Sequence, residues 1–337
     1  MTEITVLNGV AIEELLTIPM AVEAVEQAYL EKSKGDAALW PMVFHEFDPG
    51  HADLDIKSGD LGGLGFYGLK VVSWFGANPG KGLPALYGTS LLFDLATGAP
   101  RALLNAGPIT DFRTGAAGAI GAKYLARPDA ETLLMAGTGA LAPYLIAATL
   151  YLLPQIKTVY VTNPHHPECS AAACEAITPQ VEKLLSGCGG CHAAIAAAPD
   201  LEKAVRHSDV ILTATPAREP FIKAEWVQPG THISCVGADM PGKREVDSAL
   251  FASAKVFGDD SAQCLSVGEC EVPYKAGVFS GHICEIGGVI SGAEAGRTDA
   301  SDITIFDSTG IALQDIATAA ALLQAAQETG KGQTVTL

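Results

Sequence analysis

The 337-residue chain is 48% apolar and 18% charged, the composition of a folded protein with about two domains, each able to bury its own core. Its 21 basic and 38 acidic residues give a formal charge of −17. That balance argues against nucleic acid or an anionic membrane as a partner, since phosphate binding needs clustered Lys and Arg, and it favours solubility.

No charged segment followed by an apolar core opens the chain, so no secretory signal is read there. Residues 140–153 are the one membrane-like stretch. They are interrupted by Pro143 and fall short of the roughly 20 residues a span needs, so a buried helix is expected. Eight cysteines lie between Cys169 and Cys284. Cys188-Gly-Gly-Cys191, followed by His192, lacks the second pair of ligands that structural zinc requires. No metal site is expected, and ordinary thiols suit a reduced, cytoplasmic chain.

In chain order, residues 11–35 carry apolar side chains at helical spacing and end at Gly35. Residues 40–105 change character. Runs rich in β-formers at 40–47, 67–75, 87–93 and 101–104 are separated by turn signals such as Asn78-Pro79-Gly80 and Ala96-Thr97-Gly98, which predicts a mainly antiparallel region. Residues 110–125 return to helix, rich in Ala and Gly that permit close packing. From Glu131 the pattern becomes repeated β-α. Strands are predicted at Thr132–Ala136, Thr158–Thr162, 191–196, Val210–Thr213, 232–236, 255–257 and 303–306, with helical patterns from Ala140, Glu168, Asp200 and Ser248. Such alternation predicts a parallel, doubly wound sheet. Residues 311–329 form a last helix, able to return to the first domain.

The junction of strand Thr132–Ala136 with its helix reads Gly137-Thr138-Gly139-Ala140-Leu141-Ala142. Strand, glycine turn and helix in that order suit a dinucleotide pyrophosphate. The first Gly allows the tight turn, the second lets backbone approach phosphate, and the small third residue packs helix on strand. The helix N-terminus offers free N–H groups and a positive dipole to the anion. The next strand ends in Asn163-Pro164-His165-His166, with no acid for the ribose and no basic residue for a 2′-phosphate. NAD is therefore favoured over NADP.

Three charged residues stand out. Lys70 falls on a β run with apolar neighbours, and Arg113 lies near the start of an Ala/Gly helix. A cation there gains nothing from the helix dipole, which points either to a bound carboxylate or to an internal salt bridge. Asp239 follows the strand 232–236, at the sheet edge where ligands bind. It is read as a general acid or base, as an anchor for a substrate ammonium, or as a turn cap.

Five collinear segments then resemble the ornithine cyclodeaminase/mu-crystallin family: Gly68-Leu-Lys-Val-Val-Ser73 with Asn78-Pro79 and Gly82-Leu-Pro84; Thr110-Asp-Phe-Arg-Thr-Gly-Ala116; Gly137-Thr-Gly139; Val236-Gly-Ala-Asp-Met-Pro-Gly-Lys243 running on to Asp247; and Thr304-Ile-Phe-Asp307-Ser-Thr-Gly310. The resemblance covers about residues 5–325. It implies an α/β fold with a central Rossmann dinucleotide-binding domain, residues 126–310, and a discontinuous α+β substrate and dimerisation domain, residues 1–125 plus 311–337. It also implies a homodimer acting on a small imino or amino acid. By the same resemblance Lys70 and Asp239 are catalytic and Arg113 binds the substrate carboxylate. The cofactor set is Thr114, Gly137, Thr138, Gly139, Ala140, Leu141, Asn163, His165, Thr213, Thr215, Gly237, Thr309 and Gly310, for NAD with NADP as the alternative.

Departures from the family pattern bear on the reaction. The Arg that many members carry after a Pro near residue 45 is missing from Pro41-Met-Val-Phe-His45, so His45 or Lys57 is expected in its place. The usual Asp-Gly is Asn105-Ala106, and the usual Gln is Leu141. Residues 51–59, Asn163-Pro164-His165 and Gly268-Glu-Cys270 are most similar to the iminosuccinate-reductase type. The expected activity is NAD(P)H-dependent reduction of a small 2-imino acid, as in ketimine or iminosuccinate reductases and alanine dehydrogenase. The alternatives are cyclisation of ornithine to proline with release of ammonia, and, more remotely, ligand binding without catalysis.

Overall fold

The computed structural model describes residues 2–337. In chain order the first elements are β1 (Glu3–Leu7), α1 (Gly9–Leu15), α2 (Ile18–Lys34), β2 (Ala37–Leu39), β3 (Val43–Asp48), β4 (Ala52–Leu61), β5 (Phe66–Phe75), β6 (Leu86–Asp94), β7 (Pro100–Asn105) and α3 (Ala106–Leu125). The middle of the chain holds β8 (Thr132–Ala136), α4 (Ala142–Leu152), β9 (Thr158–Thr162), α5 (Ser170–Leu185), β10 (Ala194–Ala197), α6 (Leu201–Arg206), β11 (Val210–Thr213) and β12 (His232–Cys235). Then follow β13 (Lys255–Gly258), α7 (Ser261–Val267), α8 (Glu271–Lys275), β14 (Cys284–Glu285), α9 (Ile286–Ser291), β15 (Thr304–Asp307), α10 (Ala312–Thr329) and β16 (Gln333–Thr336). They form two compact units, one of residues up to Arg113 with Ile311–Leu337, the other Thr114–Gly310.

In the first unit one mixed sheet runs β16-β1-β7-β6-β5-β4-β2, with β3 also paired to β4. The pairs from β2 to β7 are antiparallel, as turn-rich spacing dictates, and β1 joins β7 in parallel. The helix expected over 11–35 is two helices. Thr17 caps the second through a hydrogen bond from Met20 N–H, Pro19 sits in its first turn, and Gly35 ends it in a left-handed conformation. The strand expected at 40–47 begins only at Val43, after Pro41, which separates it from β2. β4, not anticipated as a strand, pairs with β5 along its whole length. Helix α10 lies against α2 and over β4 and β5, enclosing Tyr29, Ile18, Leu61 and Leu92. Gly68 permits this closeness, because a Cβ there would meet Leu91 O at 2.6 Å and Ile316 of α10 at 3.4 Å.

The second unit carries an all-parallel sheet in the order β10-β9-β8-β11-β12-β15-β13-β14. The chain moves outward from β8 to β9 and β10, then returns to β11 on the other side, the doubly wound Rossmann arrangement whose switch point lies between β8 and β11. Residues of β11, β12 and β15 are all buried, which explains their short continuous apolar runs. The turn at 248–252 is 3-10 rather than α, and α7, α8, α9 and β14 are short elements that periodicity did not reveal. The two units separate within α3, after Arg113, rather than at its end. The later part of α3 packs in the second unit, where Gly115 lies against Tyr144 and Gly121 against Phe306.

Candidate active site

In the first unit the charged residues converge on one face of the sheet. Side chains directly opposite in an antiparallel pair share a face. Lys57 on β4 stands opposite Lys70 on β5, which in turn faces Ser90 on β6. Lys70 is only 3% exposed. Its Nζ lies 3.0 Å from both carboxylate oxygens of Asp315 and 3.5 Å from Thr110 Oγ1. Arg113 donates from Nε to Asp315 Oδ1 at 3.2 Å and from Nη1 to Gln314 Oε1 at 2.9 Å. Gln314 Nε2 in turn donates to the Tyr29 hydroxyl at 2.8 Å. The Ser90 Oγ is buried without a hydrogen-bond partner among the described residues.

Burial pushes the pKa of Lys70 down to about 8; Asp315 pulls it back up, while Arg113 and Lys57 push it further down. For Asp315 burial opposes the charge, but Arg113 and then Lys70 outweigh it and hold the carboxyl below its ordinary range. Asp111, on the same helix as Arg113, is pushed up to about 6 by burial, against the pull of Arg113. The helix starts at Ala106, so Arg113 sits two turns inside it. The dipole conflict inferred from sequence is therefore absent, and the Arg113 charge is met by Asp315.

His45 does not join this group. Phe44 faces Asp55, two residues from Lys57, while His45 faces Leu54, so strand alternation puts His45 on the opposite face. There it is exposed and packs edge-on against Phe47. Lys57 is the cation beside Lys70; Asp55 and Asp53 follow on the same face toward the start of β4.

In the second unit the expected cofactor residues gather at the carboxyl ends of the strands. Gly137 has φ +131°, and a Cβ on it would lie 2.5 Å from Ala214 O, so only glycine suits the turn. Gly139 has open space where its Cβ would be. Thr138 to Leu141 lead into α4, which starts at Ala142 with Pro143 in its first turn. Asn163 Nδ2 donates to Thr138 Oγ1 at 3.0 Å, and its Oδ1 accepts from the backbone of His165 and His166. Asn163 thus ties the tip of β9 to the glycine turn. The His165 ring stands edge-on to Phe221. Thr114, on α3, is buried.

Four buried acids that sequence reasoning missed brace the remaining loops. Glu245 accepts from Thr213 Oγ1, from both Thr215 N–H and Oγ1, and from Gly237 N–H, all within 3.0 Å. Glu269 accepts from the backbone N–H groups of Glu245 and Val246. Asp259 accepts from Thr309 Oγ1 and Gly310 N–H, and Asp307 from Cys270 N–H. Burial raises the pKa of Glu245 and Glu269, and the Glu245 charge raises Glu269 further. Asp307 is pushed up to about 7 by burial. Asp239, in the loop after β12, has a half-exposed side chain and pairs with Lys243 at 2.6 Å. Among the described residues no three His, Cys, Asp or Glu side chains gather as a metal site; Cys188 and Cys191 are free thiols. Among the described residues no helix is long and apolar enough to cross a membrane.

A model of the ornithine cyclodeaminase/mu-crystallin family matches residues 2–330. The chain belongs to that family. Alanine dehydrogenase of Archaeoglobus fulgidus is 36% identical over 321 residues, covering 94% of this chain and 93% of that protein. The solved iminosuccinate reductase of Paracoccus denitrificans, in complex with NAD+, is 31% identical with a TM-score of 0.89, over 99% of this chain and 100% of that one. The Delta(1)-pyrroline-2-carboxylate reductase of Thermococcus litoralis, solved with NADH and L-proline, is 31% identical with a TM-score of 0.86, over 98% and 100% of the two chains. In this family member Lys70 and Arg113 belong to the first unit, and the glycine turn and Asp239 to the second.

Proposed function

We propose that this protein is an NAD-dependent oxidoreductase that reduces a small 2-imino acid to the amino acid. The observation that carries the reading is the buried Lys70–Asp315–Arg113 cluster with Lys57 alongside. Arg113, Lys70 and Lys57 all act on Asp315, a concentration of cations that favours an anionic substrate over a diamino acid bearing a second ammonium. Arg113, assisted by Lys57, takes the substrate carboxylate. As the imine carbon accepts hydride, the C=N electron pair moves to nitrogen, which takes a proton. Lys70, protonated below about pH 8, supplies that proton and becomes a neutral amine. Asp239 is the acid assigned to orienting the substrate nitrogen.

The glycine turn fits a dinucleotide: Gly137 makes a turn that only glycine allows, and the open space at Gly139 admits a pyrophosphate. The backbone from Thr138 to Leu141 would hold the diphosphate. Asn163, His165, Thr213, Thr215, Gly237, Thr309, Gly310 and Thr114 would line the rest. When bound, NADH supplies the hydride. Residues 163–168 contain no Arg or Lys, and Glu168 pairs with His166 at 3.4 Å. A 2′-phosphate would meet negative charge there, so NAD is preferred to NADP.

A homodimer belongs to the same proposal. Every residue of β3 is exposed, including Val43, Phe44 and Phe47, and Phe75, Leu86 and Tyr87 are exposed nearby in the same sheet. Such apolar exposure is the signature of an interface, and an archaeal alanine dehydrogenase of similar structure is described as a dimer. All eight cysteines are free thiols, which suits a reducing, cytoplasmic setting.

The test is an NADH absorbance assay with pyruvate, glyoxylate or oxaloacetate plus ammonium, run beside ornithine with catalytic NAD+. Stoichiometric NADH oxidation in the first arm is expected. Proline from ornithine, with no net change in NADH and no activity in the first arm, overturns the reading.

A further inference from the structure

Asp315 takes no part in any motif, yet it is the one carboxylate shared by Lys70 and Arg113. It stands in the first turn of α10, where the helix dipole favours an acid, and it is 2% exposed. The residue before it, Gln314, holds a second nitrogen of Arg113 and is itself held by Tyr29. Nε and Nη1 of Arg113 are thus both engaged by α10, which fixes the plane of the guanidinium and leaves Nη2 free of that helix. Other groups facing Lys70 do not substitute for Asp315. Lys57 from β4 and Arg113 from α3 are cations; Thr110 from α3 and Ser90 from β6 are neutral.

We propose that Asp315 is a positioning residue for the reaction: it keeps the Lys70 ammonium charged against burial and two neighbouring cations, and it sets the Arg113 guanidinium at a fixed distance from that ammonium. The inference rests on the reading of Lys70 as proton donor and Arg113 as carboxylate anchor. A buried ammonium that loses the carboxylate hydrogen-bonded to it loses its charge at lower pH. The guanidinium, freed on one edge, also loses its single orientation.

The test is a pH titration of the lysine Nζ signals by NMR, using the whole protein labelled with [15N]lysine and the Lys70 signal assigned through Lys70→Arg. In Asp315→Asn the Lys70 midpoint is expected to fall by at least one pH unit, and the alkaline limb of kcat/KM to fall with it. Asp315→Glu keeps the charge but moves it by one methylene. It should hold the alkaline limb within about half a unit of wild type while raising KM for the 2-oxo acid at least fivefold. Because Asp315→Asn removes a buried charge and can fail to fold, the Asp315→Glu arm decides alone in that event. An unshifted Lys70 midpoint in a folded Asp315→Asn protein overturns the proposal, as does an Asp315→Glu enzyme with wild-type KM. The NMR arm needs no turnover, so it separates failure of this inference from failure of the assigned reaction.

Discussion

Replacing the two glycines of the turn after β8 by alanine should give different outcomes. At Gly137 the backbone has φ +131°, and the new Cβ would lie 2.5 Å from Ala214 O and 3.3 Å from Thr215 Cγ2. Holding an L-residue in such a conformation costs roughly 1–3 kcal/mol, and forcing a methyl into occupied space costs about 1–3 more. Gly137→Ala should therefore lose roughly 2–6 kcal/mol of stability in urea unfolding. At Gly139 φ is outside the left-handed region and the Cβ position is open, so stability should change by no more than about 0.5 kcal/mol. That methyl instead occupies the approach a diphosphate needs. Gly139→Ala should weaken NADH binding, followed by quenching of the intrinsic fluorescence or by calorimetry, at least tenfold, about 1.4 kcal/mol. Wild-type NADH affinity in Gly139→Ala, or wild-type stability in Gly137→Ala, would refute the reasoning.

Other perturbations follow from the same geometry. Arg113→Ala should lower kcat/KM by about 3 kcal/mol, on the order of a hundredfold, because the substrate carboxylate loses its anchor and Asp315 loses one of its two hydrogen-bonded cations; unchanged kinetics would remove Arg113 from the carboxylate assignment. His45→Ala should leave kcat/KM within about twofold, since His45 lies on the opposite sheet face from Lys70, and a large loss would show that this placement misreads its role. Asp307, pushed up to about 7 by burial from an ordinary 3.8, binds a proton in the native state over a pH range where the unfolded chain has released it. Its contribution to stability therefore falls as pH rises between about 4 and 7. Unfolding midpoints of wild type should drop more steeply across that window than those of Asp307→Asn, and parallel curves would contradict the sign.

The Rossmann unit was legible because parallel strands buried on both faces must be short apolar runs, and Gly137 punctuates the first of them. β4 was not. Asp53 and Asp55 alternate with Leu54 and Ile56, and aspartate is depleted in strands, so the run reads as loop until β5 is seen beside it. Threonine and proline marked the break at residues 17–19, which only the observed cap made decisive. In the site, Lys70 and Arg113 stood out as cations among apolar neighbours. Their partner did not, since Asp315 is separated from Lys70 by 245 positions and sits in a helix that reads as simple packing. An acid amid Ile311, Leu313 and Ile316 was the available signal. Glu245 carried none: beside Lys243, Arg244 and Asp247 it reads as a solvated turn, and only its contacts with Thr213 of β11, Thr215 and Gly237 show it buried.

The most direct test of the proposed chemistry is transfer of deuterium from NADH deuterated at both C4 positions, [4,4-2H2]NADH. With a small 2-oxo acid and ammonium, the amino acid product should carry one deuterium on Cα per cofactor oxidised, read by mass spectrometry. Product formed without deuterium at Cα, or ornithine converted to proline while the labelled cofactor is left unchanged, would contradict the account.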